Sequence, residues 1–311
     1  MQSNINIPLN VVNVEQLLKM ELPPREFIVH PILPKQGLAM IYAKRGIGKT
    51  FVALQLSCCI ASAVNMFDDK WKIERPYKVL YIDGEMPANT IKERLMSLVD
   101  NFQAMKNSDN LKIITPDLQK NGLMPNLATL EGQQLLEEYV LDTDVIIIDN
   151  LSTLCRNGKE NDADSWIPVQ EWLLRLRALG KSIIIIHHAG KNDQQRGTSK
   201  REDILDTVIA LRRPEHYKSS EGARFEVHYE KSRGFSGEEA NSFEARLSID
   251  SNTNKASWIV HDIEDADLKR ILELHKEGYT RRRISEELDK RKSASTVHRI
   301  LKKAQEEGVV A

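Results

Sequence analysis

The stretch Ala43-Lys44-Arg45-Gly46-Ile47-Gly48-Lys49-Thr50 constrains this chain more than any other. An apolar run, Leu38-Ala39-Met40-Ile41-Tyr42, precedes it and reads as a short buried strand. Phe51 to Ile60 follows and reads as a helix. Strand, glycine-containing loop and helix are the context in which a Gly-Lys-Thr ending marks a phosphate-binding loop. Its backbone N–H groups curl inward around an anion, and the helix N-terminus adds its dipole. Residues 43–51, Phe51 included, are therefore the expected nucleotide cradle. Gly46 and Gly48 permit φ > 0 and close approach. Ala43 stands where such loops usually begin with glycine, and a small residue still fits the turn. Lys49 is expected between the β- and γ-phosphates of ATP, and the Thr50 hydroxyl on Mg²⁺.

From residue 38 onward, aliphatic runs alternate with helical patterns. Residues 78–83, 111–115, 144–149 and 182–187 read as strands. Residues 90–99, 132–140 and 165–179 read as helices, the last capped by Asp164 or Ser165 and closed by Gly180. Near-continuous aliphatic strands between helices predict a parallel sheet covered on both faces. In such sheets the chemistry lies at the carboxyl ends of the strands. After residue 204 the rhythm changes. Residues 206–211, 224–231, 242–249 and 257–260 read as strands without intervening helices, a mostly antiparallel extension with a turn at 251–254.

Several side chains at those ends carry chemistry. Asp149 closes its strand, where a P-loop enzyme holds magnesium. Glu85, in Asp83-Gly84-Glu85, is placed to polarise a water for attack on the γ-phosphate. Asp83 is its rival, nearer the strand interior, and a solvated turn carboxylate is the bland reading of Glu85. His187 and His188 end the last parallel strand, where an imidazole can touch the γ-phosphate; a core histidine is the alternative. The following loop is basic and glycine-containing. Its Lys191, Arg196, Lys200 and Arg201 are candidates for a nucleic-acid backbone, with a plain solvated loop as the other reading. Lys231 and Arg233, one residue apart on an extended chain, point the same way. With no nearby loop of their own to serve, they read as a finger for the next subunit's γ-phosphate. That requires a ring or a filament.

The loop 43–50, Glu85, Asp149, His187-His188 and Lys231-x-Arg233 occur in the order of RecA-fold ATPases. Over roughly residues 20–260 the chain resembles the RepA family of hexameric plasmid replicative helicases and its phage and mobile-element relatives. Tyr81-Ile82-Asp83-Gly84-Glu85 and Ile186-His187-His188-Ala189-Gly190-Lys191 carry much of that likeness. The resemblance implies that Glu85 is the catalytic base, that His187 is a phosphate sensor and that Lys231 and Arg233 reach the neighbour's nucleotide. It implies an arginine after the sensor loop, to which Arg196 corresponds.

The C-terminus departs from that family. Residues 267–276, 281–288 and a third segment ending near 306 read as helices, capped by Thr280 and by Ser293 or Ser295. The arrangement resembles a helix-turn-helix module. Arg299, Lys302 and Lys303 on the third helix, with Arg281–Arg283, Arg291 and Lys292 nearby, are phosphate-contacting types. A protein-docking bundle is the alternative. At the other end, Val14–Met20 reads as a short helix, and Pro23, Pro24, Pro31 and Pro34 predict an extended arm. The arm packs either on a neighbouring subunit or as a lid on its own domain.

The totals set bounds. The 311 residues allow one large domain and one small one. The net charge of −1 provides no global pull toward nucleic acid, so contacts must be local patches. Cys58, Cys59 and Cys155 suit a reducing cytosol. No apolar run nears the roughly 20 residues of a membrane span, and Met1–Asn6 lacks a signal peptide's basic start. The expectation is an α/β fold: a RecA-like P-loop ATPase core at 36–262, an arm at 1–35 and a small all-α module at 263–311. The expected function is a cytoplasmic, hexameric, ATP- and Mg²⁺-dependent DNA motor, helicase-like, binding single strands by its core and duplex by its C-terminal module. The alternatives are an ATP-switched DNA-binding regulator or loader, and a recombinase-like filament former.

Overall fold

In the computed structural model, residues 9–99, 109–156, 163–190, 199–214, 217–250, 252–253, 255–288 and 292–306 are described. The chain begins with α1 (Val14–Lys19), β1 (Phe27–Val29) and β2 (Leu33–Pro34). The core continues through β3 (Leu38–Ala43), α2 (Lys49–Ser62), β4 (Val79–Asp83), α3 (Ala88–Val99) and β5 (Leu111–Ile114). Next come α4 (Leu130–Gln134), α5 (Glu137–Leu141), β6 (Val145–Asp149), α6 (Leu151–Leu154), α7 (Ala163–Ala178) and β7 (Ser182–His188). The last strands are β8 (Thr207–Arg212), β9 (Arg224–Ser232), β10 (Phe243–Ile249) and β11 (Ala256–Asp262), followed by α8 (Ile263–Lys276), α9 (Arg281–Glu287) and α10 (Ala294–Glu306).

A nine-stranded sheet in the order β11-β10-β9-β8-β3-β7-β6-β4-β5 organises the domain. From β8 to β5 the strands run parallel. From β8 to β11 the pairing is antiparallel. The strand near residue 207 is thus a junction: it is parallel to β3 on one side and antiparallel to β9 on the other, so the antiparallel extension begins one strand later than its sequence rhythm indicates. β3, β6 and β7 have helices on both faces, which is why their interiors are near-continuous aliphatic runs.

The two faces are chemically distinct because successive side chains alternate. Ile41, Ala43, Tyr81, Ile147 and Ile186 face α2 and α3. Met40, Tyr42, Ile82, Ile148 and Ile185 face α6 and α7. α2 is apolar nearly all round and almost wholly buried. Beside it lies an aromatic cluster in which Phe225, Phe243 and Trp258 come from β9, β10 and β11, and Phe67 and Trp71 from the segment after α2. Trp258 Nε1 donates to Gln55 of α2 at 2.6 Å.

Some predicted elements change. Residues 132–140 do not form one helix. They split into α4 and α5, with Leu136 between them buried and at φ −97°, ψ −9°. The helix predicted from Ser165 spans Ala163–Ala178, so Asp164 and Ser165 lie within its bounds. Gly180 does close it, at φ +86°, with N–H bonds from Gly180 to Arg177 and from Lys181 to Leu176. Of the proline-rich arm, β1 and β2 form a two-stranded sheet whose Ile28, Val29, Ile32 and Leu33 are buried in the core. α1 buries nothing.

The C-terminal helices share a small core of Ile271, Leu274, Ile284, Leu288, Val297 and Leu301. α8 follows β11 without a loop. Asp262, at its N-cap, takes Lys70 at 2.6 Å instead of capping, which ties the module to the main domain. Thr280 and Ser293 cap the next two helices, accepting from the N–H groups of Arg283 and Thr296. Among the described residues, no helix is long and apolar enough to cross a membrane.

Candidate nucleotide-binding and catalytic site

β3 ends at Ala43, and the chain turns through Gly46 at φ +76° and Gly48 at φ +119° into α2. Side chains beyond glycine are strained at such angles. Gly48 is also tight, since a Cβ there would lie 3.3 Å from Ala223. Lys44, Arg45 and Gly46 are exposed and Ile47 is buried, which anchors the loop on the core. Phe51 is half-buried and edge-on to Trp258, with a centroid distance of 6.5 Å, so its contribution to a ligand is its backbone.

Lys49 is 6% exposed, and its Nζ donates to the carbonyls of Ala43 at 2.8 Å and Lys44 at 2.9 Å. Burial lowers its ammonium to about 8, opposed by the charges of Asp149 and Glu85. Asp149 closes β6, 4% exposed, on the α2 face. Tyr81 donates to its Oδ2 at 2.7 Å, and the Thr50 hydroxyl also bonds it. Burial raises the Asp149 carboxyl above its usual range, against those bonds and the Lys49 charge. The structure therefore brings Lys49, Thr50 and Asp149 together. Two hard oxygen donors, a hydroxyl and a buried carboxylate, fit magnesium, which is commonly held by one or two protein groups plus phosphate oxygens. Among the described residues, no cluster of three or more His, Cys, Asp or Glu forms a metal cage.

Glu85 lies past β4. Its Oε2 accepts from Asn150 Nδ2 at 2.6 Å and is 3.8 Å from His188 Nε2. Asp83, fully buried, accepts the N–H groups of Glu85 at 2.7 Å and Met86 at 2.6 Å with Oδ1. Burial raises its carboxyl to about 6, with the two backbone bonds acting against the shift. Asp83 therefore shapes the turn, and Glu85 reaches out of it.

The histidines separate. His187 pairs in register with Tyr42 and falls on the α7 face, away from the phosphate-binding loop. It is fully buried, and its Nε2 lies 2.9 Å from Arg201 Nη1. A guanidinium cannot accept, so that nitrogen accepts. The expectation of His187 at the γ-phosphate is corrected by strand alternation: His188, one residue on, shares the face of α2 and stands beside Glu85. Arg201 is likewise corrected. It is 6% exposed, bound to His187 and 5.5 Å over the Trp166 ring, so it is a core cation and not a backbone-binding one. Lys191 and Arg196 lie outside the described residues, as do Arg291 and the side chains of Lys200 and Lys303.

Lys231 and Arg233 do share a direction, but they meet a loop of their own chain. Lys231 Nζ donates to the Glu202 carbonyl and Arg233 Nη2 to that of Asp203 at 2.8 Å. Arg299 and Lys302 are exposed on α10, and Arg281–Arg283 on α9.

Sequence reading missed three contributors. Tyr81 was signalled by parity, two residues before Asp83 on one face. Asn150 follows Asp149 and has the residue type of a helix cap. Arg213 carried no signal: its Nη2 donates to the Gly46 carbonyl at 2.6 Å while its guanidinium lies 3.5 Å from the Tyr217 ring centroid.

A parallel sheet with a phosphate-binding loop after β3 and carboxylates at the carboxyl ends of β6 and β4, beyond β7, defines a RecA-like P-loop ATPase. The fold of KaiC-like protein PH0186 from Pyrococcus horikoshii OT3 matches with a TM-score of 0.51 at 15% identity, covering 75% of this chain and 93% of that one. The flagellar accessory protein FlaH from Methanocaldococcus jannaschii aligns with a TM-score of 0.49 at 18% identity, covering 74% and 91%. Comparison with curated proteins finds no match. Residues 6–194, more than half of the chain, match the family described as AAA domain, and the chain belongs to that family. Membership implies a nucleotide-binding ATPase.

Proposed function

We propose that the protein is an ATP-driven DNA motor that works as a hexameric ring, the helicase-like ATPase of a mobile element. The observation that carries the hydrolytic part is the convergence of Lys49, Thr50, Asp149 and Glu85 at the carboxyl ends of β3, β6 and β4. Bound Mg²⁺ supplies charge neutralisation for the transferring phosphoryl group. Lys49 exchanges its two carbonyl partners for phosphate oxygens. Thr50 and Asp149 hold the metal, and Glu85 takes a proton from the attacking water. His188, and not His187, is the imidazole in position to respond to the γ-phosphate. Lys231 and Arg233 act on a neighbour's nucleotide once the carbonyls of Glu202 and Asp203 release them.

The DNA part rests on the exposed arginines and lysine of α9 and α10. The same module favours a second reading, an ATP-switched DNA-binding regulator or loader, because a tethered module suits recruitment to a duplex site.

ATP turnover with and without single-stranded DNA, on a sample of measured solution mass, separates the two. A hexamer-sized particle stimulated by single strands is the expected result. A slow, DNA-indifferent monomer or dimer would replace the motor with the regulator.

A further inference from the structure

Asn150 is 2% exposed, and every polar atom of its side chain is engaged. Its Nδ2 donates to Glu85 Oε2 at 2.6 Å, and its Oδ1 accepts from Thr153 N at 3.2 Å, capping α6. Its carbonyl accepts the Thr153 hydroxyl at 3.1 Å. Gly84 closes the other side. Its N–H donates to the Asp149 carbonyl at 2.7 Å, and a Cβ there would meet Thr153 Oγ1 at 2.5 Å. The Asp83–Met86 turn and the first turn of α6 are thus interlocked, and the amide of Asn150 is the side-chain bond across the joint.

We propose that Asn150 is a positioning residue for hydrolysis, its carboxamide fixing which oxygen of Glu85 meets the attacking water. This rests on Glu85 being the base. Asn150 and His188 both approach Oε2, whereas Oε1 accepts no hydrogen bond among the described residues. Holding Oε2 leaves Oε1 to accept the water proton as the water oxygen bonds to the γ-phosphorus and the bond from that phosphorus to the β–γ bridging oxygen breaks, the electron pair leaving with ADP. The amide type matters. Aspartate at 150 would cap α6 equally well but would set a second carboxylate against Glu85, beside Asp149 and Asp83. Alanine would lose both the cap and the donor.

Asn150→Ser separates the roles, because serine keeps the cap and is too short to hold Glu85. The expected result is an unfolding temperature near that of the parent, an unchanged KM for ATP, and a kcat lowered by about tenfold or more. A full kcat in Asn150→Ser would overturn the proposal, since a cap alone would then account for the residue. The second arm is the exchange pair. Asn150→Asp removes the donor and sets carboxylate against carboxylate, whereas Glu85→Gln alone keeps an acceptor for Asn150; combined with Asn150→Asp, it restores the bond with donor and acceptor reversed. The double variant is expected to unfold above the temperature predicted by adding the two single effects, while still failing to turn over ATP. Strict additivity would show that the two side chains do not hold each other, and would overturn the proposal as well. Turnover by Glu85→Gln alone would sink the base assignment. The additivity result, read from unfolding, still reports whether the bond exists.

Discussion

Lys49 sets the pH behaviour of the nucleotide site. The proposed function requires its ammonium for phosphate, yet burial lowers it to about 8. Bound phosphate favours the charged form, so binding near pH 8–9 is expected to take up part of a proton, and ATP affinity is expected to fall as pH rises through that range. Calorimetry in buffers of different ionisation enthalpy measures the uptake, and Lys49→Ala should abolish both it and turnover. Asp83 makes the opposite kind of statement. Its carboxyl titrates near 6 in the fold against about 3.9 in an unfolded chain, so the folded state binds more protons between those values and stability falls as pH rises through them. Asp83→Asn keeps the Oδ1 acceptor for Glu85 and Met86 and removes the buried charge. It should stabilise the protein at pH 7 by about 1–3 kcal/mol, with the gain vanishing below pH 4. A melting temperature no higher than the parent's at pH 7 would show that the carboxylate is better solvated than its burial implies.

At the scale of elements, the site is a set of strand ends brought level by sheet register. Asp83 lies opposite Asp149, and Asp149 opposite Ile186, so β4, β6 and β7 finish within a residue or two of one another. Alternation then decides which residues face α2, which is why Asp149 and His188 join the site and His187 does not. A tight joint beside Glu85 is Gly84 against α6, where a methyl would lie 2.7 Å from Leu154 Cγ as well as 2.5 Å from Thr153 Oγ1. Gly84→Ala should therefore cost about 1–3 kcal/mol in denaturant unfolding, as overpacked substitutions do, and should lower turnover by displacing Glu85. Parental stability in the Gly84→Ala variant would mean that α6 yields easily. The strand and helix run from 38 to 188 was legible because its aliphatic strands and Gly180 stop follow local rules. The break between α4 and α5 was not, because residues 132–140 keep a helical pattern across it and only packing interrupts them.

The whole molecule decides what remains of the site. Lys231 and Arg233 sit on β9 and the turn after it, bonded to the chain's own carbonyls of Glu202 and Asp203. If they serve a neighbour's nucleotide, Arg233→Ala should abolish hydrolysis by itself, yet mixing it with Lys49→Ala subunits should restore a fraction of activity, since each supplies what the other lacks. No recovery at any mixing ratio would place the pair in service of its own chain. α1 stands exposed, with Leu17 and Leu18 at 49% and 81% exposure.

The sequence by itself determined the strand–glycine-loop–helix stretch, the alternation of buried strands with helices, the placing of Asp149 and Glu85 at strand ends and the three C-terminal helices. Each is written in a short stretch whose glycines, caps or periodicity act locally. Only the tertiary structure decided which histidine shares the face of α2, that Arg201 is a core cation, that Tyr81 and Asn150 bond the two carboxylates, and that Arg213 reaches Gly46 across 167 residues of chain. Those outcomes depend on register between strands far apart in sequence. A shift of one residue exchanges the two faces of a sheet, so no local pattern can report them.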